Sequence, residues 1–123
     1  MSEQQMPLQI STVGDVTVVA FREPSIIDPL QIQQVGDQLY ALVDEGGQRK
    51  IVIDFANVKF LSSQTLAVLM TLRKKSDAID GIVCVSGLKT DLHKVFKITK
   101  LDSFFDFYPT PAEALAALGG EAR

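Results

Sequence analysis

The chain has no tryptophan, one histidine and one cysteine among its 123 residues. A single cysteine excludes an intramolecular disulfide. Cys84 stands inside the apolar run Ile82-Val83-Cys84-Val85, where a small buried side chain is the ordinary role. His93 has Lys94 beside it and no second His or Cys at ligand spacing, so it is expected at the surface or partly packed, and no metal site is read. The chain also lacks a Gly-x-Ser-x-Gly elbow, a P-loop and the dinucleotide glycine pattern. We therefore assign no catalytic residue and expect no cofactor. No apolar stretch approaches the roughly 20 residues that span a bilayer, so direct membrane insertion is not expected. Met1 to Gln5 lacks the basic-then-apolar pattern of a secretory signal, and a cytoplasmic protein is the default expectation. Basic residues are outnumbered, and a formal net charge of -3 argues against nucleic acid as a partner.

What is present suits a globular α/β chain. Apolar residues make up 46% and charged residues 22%, and the length is that of one domain, 1–123, with frayed ends expected at about 1–6 and 119–123. Leu8 to Val13 and Val16 to Phe21 flank the turn pair Gly14-Asp15 and read as a hairpin. Arg22 to Ile27, with Pro24, reads as a loop. Asp28-Pro29 opens a helix carrying Ile32, Val35, Leu39 and Leu42, which Gly46-Gly47 ends. Gly36 lies mid-helix, where it costs about 1 kcal/mol relative to Ala.

Lys50 to Phe55 is almost wholly apolar, as suits a central strand covered on both faces. Ala56 to Lys59 connects it to Phe60-Leu61 and Ser62-Ser63. From Gln64 a helical stripe of Leu66, Leu69 and Met70 runs to Asp80-Gly81. Ile82 to Val85 is a second buried-type strand. Thr90 or Asp91 can cap a helix with Leu92, Val95 and Phe96. Phe104 to Tyr108 reads as a short last strand, and Thr110-Pro111 opens a terminal helix with Leu115 and Leu118 that Gly119-Gly120 closes. The order is β-β-α-β-α-β-α-β-α, an open mixed sheet with amphipathic helices packed on it.

Two positions hold chemistry. Asp54, at the end of an apolar strand, reads first as a hydrogen-bonded loop anchor. Ser62-Ser63 opens the helix that follows. Serine there is an ordinary N-cap, and a hydroxyl at a helix start is also well placed to carry a phosphate, which free N–H groups and the helix dipole favour.

Ile51-Val52-Ile53-Asp54-Phe55, followed by Val58-Lys59-Phe60-Leu61-Ser62-Ser63-Gln64-Thr65-Leu66-Ala67-Val68-Leu69, resembles the signature of the STAS domain, in its anti-sigma-factor-antagonist branch. There a strand ending in Asp-Leu leads to "V-x-F-I-D-S-S-G-L-G-V-L". Val95 to Phe105 resembles the family's "V-x-x-x-L-x-x-T-G-L-x-x-x-F", and the Thr110 to Leu118 segment fits its C-terminal helix.

Aligned on Leu66, Ser62 stands at the signature's Asp, Ser63 at its phosphorylated Ser, Gln64 at its second Ser and Thr65 at its Gly. Lys100 takes the Gly of Thr-Gly-Leu. The resemblance implies a protein-binding switch and not an enzyme. Unphosphorylated, such a domain sequesters an anti-sigma factor that is also a serine kinase, and so frees a sigma factor. A serine phosphatase restores binding. It further implies Ser63 as the phosphorylation site, with Ser62 as rival acceptor, and Ser62, Ser63, Gln64 and Thr65 as partner-binding residues. STAS-like chains also serve as subunits of lipid-transport ABC systems and as scaffolds of signalling assemblies, and these remain the alternatives.

Overall fold

The computed structural model describes residues 7–118; the expected frayed ends and the Gly119-Gly120 stop lie outside them. The N-terminal hairpin is formed by β1 (Leu8–Val13) and β2 (Val16–Phe21), antiparallel with Val13 opposite Val16. Its turn has φ 62° at Gly14 and no positive φ at Asp15, the pattern of a type II′ turn, whose twist matches that of the strands. Lys50 reaches Asp15 at 3.0 Å across the turn.

Three further strands continue the sheet from β2. They are β4 (Lys50–Asp54), β6 (Ile82–Ser86) and β7 (Asp106–Tyr108), all parallel, in the spatial order β1-β2-β4-β6-β7. Between them run α1 (Pro29–Asp44), α2 (Ser63–Asp77) and α3 (Thr90–Ile98), and α4 (Pro111–Leu118) follows the last strand. Among the described residues, no helix is long and apolar enough to cross a membrane.

Strand periodicity divides the core in two. Val19, Ile51, Ile53, Val83 and Val85 point to the face that α1, α2 and α3 cover, against Ile32, Val35, Leu39, Leu66, Leu69, Leu72 and Phe96. Val16, Val52 and Cys84 point to the other face, which Ala114 of α4 covers. Both faces of the central strands are therefore buried, which is why their sequences are apolar throughout.

Three local readings differ from the sequence expectations. The segment 22–27 is not all loop: β3 (Ser25–Ile26) pairs in parallel with β5 (Phe60–Leu61) in a separate two-stranded sheet. Two residues carry no periodicity, so only their partner defines them. Neither Thr90 nor Asp91 caps α3; the N-cap is Lys89, with no side-chain bond to the helix. The last strand starts at Asp106, because Leu101–Ser103 forms a single 3-10 turn and Phe104 closes it. The α1 stripe faces the core as expected, with Leu42 half-buried against it and Val43 beside it buried.

Candidate functional site

Phe55 sits just past β4, its ring 5.1 Å from that of Phe21 and 6.2 Å, edge-on, from that of Phe96. This packing fixes where the chain leaves the sheet. The connection from there to α2 is held by main-chain and side-chain bonds rather than by length. Asp54 Oδ1 accepts from Ala56 N at 2.9 Å, so the carboxylate anchors the turn as the sequence suggested. Ala56 O accepts from Lys89 Nζ. Asn57 Nδ2 donates to Arg22 O at 3.1 Å, and Lys59 N and Phe60 N both donate to Pro24 O. Gly87, at φ 68°, lets the neighbouring loop press in; a Cβ there would lie 3.0 Å from both Ala56 N and Asp54 Oδ1.

The β3–β5 pair sets the start of α2. Ser62 is the N-cap, with extended backbone, and its Oγ accepts from Thr65 N at 3.3 Å. Thr65 is fully buried and its Oγ1 donates to Ile26 O at 3.1 Å. A carbonyl can only accept, so that bond uses the single Thr65 proton. In the 3.3 Å contact between Ser62 Oγ and Thr65 Oγ1 the serine must then donate. The Ser62 hydroxyl is thus engaged both as donor and as acceptor.

Ser63 differs in every respect. It is the first residue of the helix, it is exposed, and its hydroxyl has no hydrogen-bond partner among the described residues. Its N–H and that of Gln64 are among the first-turn donors that no intrahelical carbonyl can reach. Gln64 is also exposed. The structure therefore brings Ser62, Ser63, Gln64 and Thr65 to one helix start but divides them: Ser63 and Gln64 face solvent, Ser62 is half-buried, and Thr65 is internal.

Around this start lies apolar surface that the sequence reading missed. Phe60 on β5 is 60% exposed, Ile27 just after β3 is 57% exposed, and Leu30 in the first turn of α1 is 64% exposed. In a sequence these look like core residues; only the β3–β5 pairing shows that they share one end of the molecule with Ser63. His93, in the first turn of α3, packs partly against Phe107, ring centroids 5.0 Å apart. Cys84 is buried, and burial pushes its thiol up to about 11.

The model of one family, the STAS domain, matches residues 8–114. A Bordetella bronchiseptica protein named as a candidate anti-sigma factor antagonist, BtrV, is 27% identical over 92 residues, covering 75% of this chain and 78% of that one. An anti-sigma factor antagonist from Mycobacterium paratuberculosis superimposes with a TM-score of 0.79 at 26% identity, covering 91% and 92% of the two chains. A STAS-domain protein from Planctomyces limnophilus gives 0.83 at 21% identity, covering 94% and 99%. The Bacillus protein SpoIIAA in its phosphorylated form gives 0.71 at 18%, covering 90% and 98%.

Proposed function

The chain belongs to the STAS domain family, and from that premise we propose that it is an anti-sigma-factor antagonist whose partner binding is switched by phosphorylation of Ser63. The observation that carries this reading is the contrast at the start of α2. Ser62 spends its hydroxyl on capping, while Ser63 presents a free one to solvent.

In this reading the unphosphorylated domain binds an anti-sigma factor that is also a serine kinase, and so releases a sigma factor. Exposed Phe60, Ile27 and Leu30 supply the apolar contact area, and Ser63 and Gln64 lie beside it. Phosphoryl transfer forms a bond from Ser63 Oγ to the γ-phosphorus of ATP. The bridging bond to ADP breaks, and the serine proton passes to a base of the kinase. The product adds about -1.5 to -2 charge. At a helix N-terminus that charge is tolerated by the fold, since the dipole and free N–H groups favour it. It acts on the partner instead, by placing a hydrated dianion within an apolar contact. A serine phosphatase reverses the step. The domain itself supplies binding and no turnover.

The test is to isolate the partner from the host by affinity capture, incubate it with the chain and ATP, and map the phosphate by mass spectrometry. Phosphate on Ser63, and its loss in Ser63→Ala with partner binding retained, is the expected result. Ser63→Glu should bind more weakly. Phosphate on Ser62 alone would overturn the assignment of the site. Capture of an ABC transporter ATPase, with no phosphate on either serine, would replace the switch by the transport-subunit reading.

A further inference from the structure

The two edges of the five-stranded sheet are built differently. β7 is three residues long, begins with Asp106 and is followed by Pro109, all features that discourage pairing with another chain. β1 is six residues long, Leu-Gln-Ile-Ser-Thr-Val, with no charge and no proline. Its register with β2 is unbroken from Leu8 to Val13, so no bulge turns it aside. Among the described residues, no strand pairs with its outer edge.

The main-chain groups on that edge can be identified. Arg22 N donates to Pro7 O at 3.0 Å, so Pro7, Gln9, Ser11 and Val13 turn their groups toward β2. Leu8, Ile10 and Thr12 turn theirs outward. The Leu8 N–H confirms this parity, because it is taken from outside the hairpin by Gln38 Oε1 at 3.3 Å. That leaves the N–H and C=O of Ile10 and of Thr12 facing away from β2. Beside them, a groove of about 440 Å³ runs between β1 and α1, lined by Ile10, Ala41, Leu42 and Glu45 among others. Ile10 itself is 38% exposed.

We propose that β1 pairs antiparallel with β1 of a second copy of this chain, about a two-fold axis through Ser11, to form one continuous sheet. The argument for a second copy is self-complementarity. With Ile10 opposite Thr12 of the second copy, and Thr12 opposite its Ile10, the same two residues satisfy each other's outward N–H and C=O in four hydrogen bonds. Leu8 to Val13 carries no charge, so no like charges are opposed. Ile10 and Thr12 are β-branched cross-strand pairs on the α1 face, and closing the seam shelters Ile10 and the apolar side of the groove. The interface is small, so the dimer is a weak one, forming in the micromolar range or above.

The geometry makes Ser11 diagnostic. Its two copies form a non-hydrogen-bonded pair on the axis, with Cα atoms about 4.5 Å apart, within disulfide reach. Gln9, on the same face, would be about 13 Å from its own copy, beyond that reach. Sedimentation of the full chain from low micromolar to near-millimolar concentration should show a monomer–dimer equilibrium. Mild oxidation of Ser11→Cys should give a disulfide-linked dimer, while Gln9→Cys and the natural chain, whose Cys84 is buried, should not. Ser11→Lys, which opposes two ammonium groups across the axis, should remain monomeric with an unchanged circular dichroism spectrum and melting temperature. A chain that stays monomeric throughout, a dimer that survives Ser11→Lys, or equal cross-linking at Gln9 overturns the proposal. So does an edge whose Ile10 and Thr12 amides gain protection from hydrogen exchange only when a partner's peptide is added.

Discussion

Lys100 holds φ 64° and ψ 23°, a left-handed conformation in which an L side chain crowds its own backbone. It follows Thr99, the C-cap of α3, and starts the 3-10 turn, at the position where the family signature has glycine. Its side chain is exposed, so removing it sacrifices little. Lys100→Gly should therefore stabilise the fold by up to about 1 kcal/mol, part of the strain being returned as unfolded-chain entropy. The midpoint of urea denaturation reads this directly, and an unchanged or lower midpoint would count against the strain.

Cys84 supplies a second residue-scale expectation. Burial raises its thiol from 9.0 to about 11, so the folded chain keeps a proton that the unfolded chain has lost between those values. A state that binds more protons is weakened as they are withdrawn. Stability should thus fall as pH rises from about 9 toward 11, and Cys84→Ala should lack that part of the slope. At pH 8 a thiol reagent should label the native protein slowly and the denatured protein at once.

At the scale of the element, the start of α2 separates two kinds of hydroxyl. Ser62→Ala removes a cap and should cost about 1 kcal/mol. Thr65→Val keeps the shape but strips the buried Ile26 carbonyl of a donor, which costs about 1–3 kcal/mol. Ser63→Ala, at an exposed hydroxyl with no described partner, should leave the melting temperature nearly unchanged. Thermal melts of the three proteins should rank them Thr65→Val, Ser62→Ala, Ser63→Ala in order of damage. A large loss in Ser63→Ala would show that this serine also supports the fold. In α1, Gly36 is buried facing α2, and a Cβ there would meet Tyr40 at 3.4 Å and Val68 at 3.6 Å. Those are ordinary contacts, so the glycine eases a close helix approach without being demanded by it.

At the scale of the whole molecule, the parallel strands deliver their C-terminal ends to one side, and the loops that follow them carry the candidate site. Phe60, Ile27 and Leu30 form its apolar border and are more than half exposed, so truncating them should affect binding more than folding. Phe60→Ala is expected to weaken capture of the partner at least tenfold while shifting the melting temperature little, because exposed surface contributes little to the core. Isothermal titration beside a thermal melt distinguishes this from a folding defect. A fall in both together would place Phe60 in the structure rather than in the interface.

Much of this was legible in the sequence. Asp28 and Pro29 began α1 where capping chemistry places a helix start, the apolar runs at 50–55 and 82–85 became central strands, and Gly14-Asp15 closed the hairpin. These features depend on residues within a few positions of one another. The STAS signature likewise located Ser63 at a helix start. What the sequence could not decide were relations between residues far apart along the chain. Ser25-Ile26 became a strand only because Phe60-Leu61 lay beside it. That pairing set Ile26 O against Thr65, and Thr65 in turn engaged Ser62 and left Ser63 free. The same pairing turned Phe60 and Ile27 outward. A hydrogen bond between residues 39 apart leaves no periodicity in the sequence to read, so which of the two serine hydroxyls is taken up by the cap was decided by the tertiary structure.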